Sequence, residues 1–395
     1  MGGQTPTAGL GDPVLVNPPL SQICAVMFAG GVALLINGLQ PLVLGHLVRA
    51  GRLSVQQTGL AVTIELLAIG FSVAICTAAL RPRRLRWIGF AAAAAHAGVA
   101  LLELHASGLG VILLRGCAGL AAGVMLWSTI GMFTRMTHPE QWTAVFLTFS
   151  TLQKLAVMSL MSFGVAPKFG ITGILVGLAA ISGLAALAAL IGPRSYPPLE
   201  AAHTERAKTS LGFGNLLSLA AVFGYMAGVT AVWVYLGQIF TQSGFAIGSI
   251  GVALSVALGF QVLGGLAAAT LGARLPVLPA LTIATLLTLG ALAVFGGLAG
   301  SNPYALMAAS AAFGFAWLFA PPYQVLFLIE HDPSRRTALQ FPSAQLFGSA
   351  AGPFVASIFV RDADLGPVLW IGLAGLIVSL ALACGLHLRT RTVLA

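Results

Sequence analysis

The chain has 395 residues, 58% of them hydrophobic and only 7% charged, with a formal net charge of +9 and a mean hydropathy of +0.96. Globular proteins average about 25% charged residues, so 19 Lys+Arg and 10 Asp+Glu are too few to coat soluble domains of this length, and a water-solvated fold is excluded. A β-barrel is excluded too, because barrel strands alternate apolar and polar residues over about 10 positions, whereas these apolar runs are continuous over the length of a membrane helix.

Residues 1–20 carry no basic residue ahead of the first apolar stretch, so they do not read as a cleavable signal, and the first helix is expected to be retained. A hydrocarbon core of roughly 30 Å takes about 20 helical residues. That ruler predicts an all-α integral membrane protein with twelve spans, near 20–46, 57–80, 86–104, 108–132, 142–165, 170–192, 213–240, 246–271, 275–299, 303–329, 338–360 and 366–388. The 48 glycines and 20 prolines suit membrane helices, where small residues allow close contact and proline is tolerated. The first span carries Asn37-Gly38-Leu39-Gln40-Pro41, whose amides can hydrogen-bond a substrate or a neighbouring helix but cannot titrate. Charges inside a span cost roughly 2.5–3.5 kcal/mol at mid-bilayer and are functional candidates for that reason. Three qualify: Glu65 in the second span, Arg115 in the fourth and Lys154 in the fifth. At about 1.5 Å per residue they fall at similar depth, so one cluster is expected. Arg115 either binds substrate or pairs Glu65 as a structural bridge. Lys154 has Ser150 one turn before it and no acid within helical reach.

The longest polar stretch, 193–212, divides the chain into a first bundle at 1–192, a cytoplasmic linker and a second bundle at 213–395. The second bundle offers no charge to a span interior. Its contribution is polar and aromatic: Tyr225, Trp233, Tyr235, Gln238, Gln261, Trp317, Tyr323, Gln324 and Gln345. The halves repeat. Leu44-Gly45 and Gly59-Leu60-Ala61-Val62 recur as Leu236-Gly237 and Gly251-Val252-Ala253-Leu254, and His138 to Ala144 recurs as Asp332 to Ala338 at almost the same offset. At the positions equivalent to Glu65 and Lys154 the second half has Ala257 and Gly348. Thirteen of the Lys and Arg residues lie on the side of the linker and four on the other, so both termini are expected to be cytoplasmic, in a cell inner membrane. Distribution over short loops accounts for the positive charge and argues against a nucleic-acid partner. Cys24, Cys76, Cys117 and Cys384 all lie in apolar runs without CxxC spacing, and the histidines are scattered, so no disulfide framework, metal site or cofactor is expected.

This layout, with the string Arg115-Gly116-Cys117-Ala118-Gly119-Leu120-Ala121-Ala122-Gly123 opening the fourth span and the basic run Arg81-Pro82-Arg83-Arg84 between the second and third, resembles the major facilitator superfamily along essentially the whole chain. Gly265 to Gly272 with Arg274 is a similar remnant in the second half, and both loops lack the family's usual Asp. The resemblance implies that spans 1, 2, 4, 5, 7, 8, 10 and 11 line a central cavity while 3, 6, 9 and 12 lie outside. Asn37-Gly38-Leu39-Gln40 is similar to an Asp-Gly-x-Asp element of aromatic-acid symporters in that superfamily, with both carboxylates replaced by amides. The GxxxGP element of its drug–proton antiporters is not found in span 5, although Gly348-Ser349-Ala350-Ala351-Gly352-Pro353 occurs in span 11.

Two similar bundles facing one another can rock about a central site. The function expected is therefore transport, not enzyme catalysis: proton-coupled symport of a small organic anion, most plausibly a carboxylate, by a functional monomer in the bilayer. Arg115, Lys154, Asn37, Gln40, Ser150, Tyr225, Trp233, Gln238, Trp317, Tyr323 and Gln345 would contact substrate, and Glu65 would couple the proton. The alternative is a proton-driven exporter of amphipathic compounds. A loop latch is expected where Glu330, His331 and Asp332 meet Arg335 and Arg336.

Overall fold

The computed structural model describes residues 18–136, 139–196, 212–297, 302–332, 337–361 and 364–394. The linker residues 197–211, together with His138, Arg335, Arg336 and Asp362, lie outside the described residues. The described residues are mostly helical: α1 (Leu20–Ala33), α2 (Leu35–Arg49), α3 (Val55–Ala79), α4 (Leu85–Leu102), α5 (Leu109–Phe133), α6 (Pro139–Ser159), α7 (Ala166–Ala189), α8 (Phe213–Gln242), α9 (Ile247–Leu271), α10 (Val277–Phe295), α11 (Pro303–His331), α12 (Phe341–Phe359) and α13 (Gly366–Leu394). Among the described residues the one non-helical pairing is an isolated antiparallel bridge, Arg83 to Ser195.

Among the described residues ten stretches are long and apolar enough to cross a membrane, which makes this a multi-pass membrane protein. Two of them are compound. Leu20–Arg49 joins α1 and α2 across a break at Leu34. Gln141–Ala189 runs 49 residues, through a π-helical turn at Leu160–Val165 and a left-handed Gly170 with φ +56°. The 19-residue α12 is outside the ten.

Local sequence explains the ends. Ser54 caps α3 through the Gln57 amide while the Gln57 side chain returns to the Ser54 N–H, at 3.1 and 3.0 Å, the reciprocal pair expected of S-x-x-Q. Asn302 caps α11, whose first residue is Pro303, the position where a missing N–H costs nothing.

Glycines set how closely helices approach. A methyl group built on Gly119 of α5 would strike the Glu65 carbonyl of α3, and one on Gly123 would come within 2.6 Å of the Ile69 carbonyl. The Gly116–Gly123 string is therefore a small-residue seam on which α3 rests. In the second half, Gly314 of α11 is pressed in the same way against the Ala257 carbonyl of α9. The helices before and after the 193–212 stretch also touch: α2 on α8, α3 on α12 and α6 on α9.

Candidate functional site

Pro41 lies inside α2 and has no N–H, so the Asn37 carbonyl four residues earlier lacks its helical donor. Trp233 of α8 supplies one: its indole N–H donates to the Asn37 oxygen at 2.9 Å. Trp233 is fully buried, 5.3 Å edge-on to Trp317 and stacked at 6.3 Å on Phe313, both of α11. The Asn37 side-chain oxygen, on the same turn, is buried without a hydrogen bond. One residue on, Gly38 leaves room for Lys154 of α6, whose side-chain carbons would lie 2.9–3.1 Å from a methyl group placed there. Lys154 is half-buried and makes no hydrogen bond or ion pair among the described residues. The α2/α6/α8/α11 junction thus combines an ammonium, an unpaired amide oxygen and the edge of an aromatic cluster.

The other charged group lies inside the first half. Arg115 forks onto Glu103 with three hydrogen bonds of 2.8–3.0 Å, and its second face is 3.8 Å from Glu65. All three are buried, with exposures of 4%, 3% and 1% for Arg115, Glu103 and Glu65. Such planar two-point pairing is the strong form of Arg–carboxylate contact. With every group ionised the triad carries one negative charge in excess. A cavity of about 20 Å³ beside it, lined by His96, Ser182 and Ala118 among others, has room for about one water. His96 itself is held by Ser182 at 2.9 Å, joining α4 to α7.

The expected cluster is therefore divided. The structure brings Glu65 and Arg115 together and records no contact of Lys154 with either. The third member of the triad is Glu103, which the sequence reading passed over because it sits at a span end. The available sign was an acid still inside an apolar run, 12 residues before Arg115 across a short turn. That turn is clamped by Arg52, which donates to the Ala106 carbonyl at 2.6 and 3.0 Å and also to the Glu103 carbonyl.

The remaining polar residues are spread over several helices of both halves. Gln40 is buried with an unpaired amide nitrogen. Ser150 is turned back onto its own helix, donating to Leu147 at 2.9 Å. Tyr225 donates to the Ala316 carbonyl at 3.0 Å, just ahead of the Pro321-Pro322 pair in α11. Gln238 reaches Thr58 at 3.4 Å and keeps an unpaired oxygen. The Tyr323 hydroxyl and the Gln324 oxygen are buried and unpaired among the described residues, and Gln345 reaches the Met226 sulfur at 3.8 Å. Tyr235, also named from sequence, accepts from the Gly59 amide at 3.0 Å. In the expected latch, Asp332 accepts from the Thr337 amide and hydroxyl at 2.8 and 2.7 Å.

The sequence matches no protein-family profile and no curated protein sequence. Its fold does match solved structures. The nucleoside transporter NupG aligns over 93% of this chain and 98% of its own with a TM-score of 0.68 at 15% identity, and a single-residue mutant of NupG gives 0.69 at 13%, over 93% and 99%. A bacterial homologue of the human lysosomal transporter Spinster, inward-facing and unoccupied, aligns over 94% and 96% with a TM-score of 0.64 at 15%. The chain shares the fold of these transporters. At these identities the likeness is one of fold; the junction around Lys154 lies where helices from before and after the 193–212 stretch meet.

Proposed function

We propose that this protein is a secondary transporter that moves a small organic anion, most plausibly a carboxylate, together with protons by alternating access, as a monomer. The observation that carries the reading is Lys154: an ammonium without a counter-ion among the described residues, on a side chain packed against Gly38, the neighbour in sequence of Asn37, whose carbonyl holds the Trp233 indole. A buried cation without a partner is costly, and a carboxylate entering from water would neutralise it.

Twelve spans follow if Leu20–Arg49 crosses once, Gln141–Ala189 crosses twice and α12 is a further crossing. Two six-helix bundles, 1–192 and 213–395, are supported by the similar seams of Gly119 on Glu65 and Gly314 on Ala257, in which Ala257 stands at the repeat offset from Glu65 and Gly314 close to it from Gly119. Among the described residues most of the polar and close contacts joining those bundles lie toward the ends opposite the linker: Gly59 with Tyr235, Thr63 with the Ala350 carbonyl at 3.0 Å, Gly237 with Pro41 and Ser159 with Ser255, against Gly70 with Leu346 on the linker side. This is the pattern of a carrier closed on one side, and cytoplasmic termini in a cell inner membrane place the open side inward.

Coupling is assigned to the triad. A proton on Glu65 makes Glu65, Arg115 and Glu103 neutral together, and its loss leaves an excess charge that the helices must rearrange to tolerate. Arg115 is accordingly placed with the coupling group, and Lys154, Asn37 and Trp317 with the substrate; Gln40, Tyr323 and Gln345 extend the polar path. Exporting amphipathic compounds is the second reading, favoured by the aromatic cluster of Trp233, Phe313 and Trp317. A thermal-shift screen of organic acids and lipophilic cations on purified protein separates the two, since a ligand of the folded state raises its melting temperature. Stabilisation by acids in wild type but not in Lys154→Ala supports the first reading; stabilisation by lipophilic cations alone discards it. In proteoliposomes, Glu65→Gln is expected to exchange substrate but not accumulate it under a pH gradient, and accumulation equal to wild type would remove Glu65 from coupling.

A further inference from the structure

Two consecutive residues of α6, Gln153 and Lys154, stay outside the hydrogen bonding that settles the hydroxyls just before them. Thr148, Ser150 and Thr151 turn back on their own helix, donating to the Ala144 and Leu147 carbonyls at 2.8–3.0 Å. Gln153 is only 9% exposed, and neither its amide oxygen nor its amide nitrogen has a hydrogen-bond partner among the described residues.

Both residues press on the first membrane stretch where it lacks a side chain. A methyl group built on Gly31 of α1 would collide with the Gln153 amide oxygen, as one on Gly38 of α2 would with the Lys154 stem. The two glycines stand about two helical turns apart, and midway between them the stretch breaks. There α1 ends at Ala33, Leu34 takes φ −97° and ψ −2°, and its N–H turns to the Gly31 carbonyl at 3.1 Å. The amide and the ammonium therefore straddle the break. Interrupted helices of this kind are where secondary transporters hold their ligands.

A buried amide bonded at neither end destabilises the chain that carries it, and an apolar side chain of the same length would avoid that cost. Its hydrogen-bonding capacity is left for a ligand. A simple carboxylate would answer Lys154 and leave the amide bare, whereas a group that both donates and accepts matches the two ends of Gln153. We propose that Gln153 is a substrate-selecting residue: with Lys154 on the carboxylate, it holds a second, neutral hydrogen-bonding group of the same molecule, so the transported class is hydroxy- or amido-carboxylates. This rests on the organic-anion reading above and narrows it.

The test uses purified full-length wild type, Gln153→Met and Lys154→Ala, with acetate to hexanoate and their hydroxylated and amidated counterparts as probes, read by melting temperature and isothermal titration. Wild type is expected to bind the substituted acids more tightly than unsubstituted acids of the same length. Gln153→Met should bind the substituted acids about five-fold more weakly, the worth of one neutral hydrogen bond, and leave the unsubstituted ones unchanged. Lys154→Ala should weaken both series alike. Without ligand, Gln153→Met should melt about 2 °C or more above wild type, because it removes two unpaired buried atoms and keeps the length of the side chain; an amide with a structural role would give the opposite sign. Lower melting of ligand-free Gln153→Met, equal binding of the two acid series by wild type, or unchanged binding of substituted acids by Gln153→Met would each overturn the role of Gln153 and leave the organic-anion reading standing. The wild-type comparison needs no variant, so it decides even if Gln153→Met does not fold. Stabilisation of wild type by none of these acids would overturn the organic-anion reading and this one with it.

Discussion

At the residue scale, what distinguishes Arg115 from Lys154 is company. Arg115 sits in a nearly filled coordination shell, forked onto Glu103 and close to Glu65, whereas Lys154 has only carbon against Gly38. The two should therefore fail differently. Lys154→Ala should weaken binding of an anionic substrate about ten-fold or more, the worth of one charge-assisted hydrogen bond, with an unchanged or higher melting temperature in the ligand-free protein. Lys154→Arg should recover part of the affinity; isothermal titration of the three proteins measures it, and equal affinity in all would exclude Lys154 from the site. Glu103→Ala should instead cost stability, about 1.5–3 kcal/mol for each charge-assisted hydrogen bond not remade, because Arg115 is left with the more distant Glu65 as its acidic partner. Its melting temperature should fall well below that of Glu65→Gln, because Glu103 accepts three hydrogen bonds from Arg115 and Glu65 lies 3.8 Å away. Equal melting of the two variants would mean that Glu65, too, is a structural partner.

At the scale of elements, the break in the first membrane stretch is repaired from across the molecule. Pro41 frees the Asn37 carbonyl, and the Trp233 indole of α8 satisfies it. Trp233→Phe keeps most of the apolar volume and removes the donor, so it should destabilise by about 1–3 kcal/mol, the penalty of an unpaired buried carbonyl. In a Pro41→Ala background the alanine restores a helical N–H at that position, and the same Trp233→Phe change should then cost much less. A double-mutant cycle on chemical unfolding reads the coupling, and strict additivity would show that the indole bond does not answer the proline. The π-helical turn at Leu160–Val165 begins six residues after Lys154. Such turns often accompany functional sites, and here it lies between the cation and the Gly170 bend.

At the scale of the molecule, the ends opposite the linker are drawn together through glycine. A side chain on Gly59 would collide with the Pro353 carbonyl and the Tyr235 hydroxyl, and one on Gly237 would come within 2.6 Å of the Pro41 carbonyl. Gly59→Trp should hold these ends apart. In a background lacking Cys24, Cys76, Cys117 and Cys384, a Gln238→Cys reporter should then react faster with a membrane-impermeant maleimide added on that side, while net transport is lost. Unchanged labelling would mean that the contact at Gly59 does not seal the path.

Much of this architecture is legible in sequence because its cause is local. Continuous apolarity and scarce charge name lipid as the solvent, and helix ends follow from Ser54, Gln57, Asn302 and Pro303. The fourth-span string Arg115 to Gly123 is recognisable for the same reason: close helix contact needs small residues at fixed spacing, whatever they touch. Rank by charge also singles out Glu65, Arg115 and Lys154, since each is expensive in a membrane wherever it points. Direction is another matter. Helical rise gives depth to within a turn but does not give the side chain's bearing, so shared depth suggested one cluster where the packing of α2, α4, α5 and α6 makes two separate environments. Glu103 at a span end, Trp233 answering a proline 192 positions earlier and Tyr196 folded under Arg135 are contacts between distant segments. Sequence by itself determined the solvent, the helices and the costly residues; only the tertiary structure decided which of those residues are paired, because pairing depends on how helices turn against one another rather than on any property of the residues taken singly.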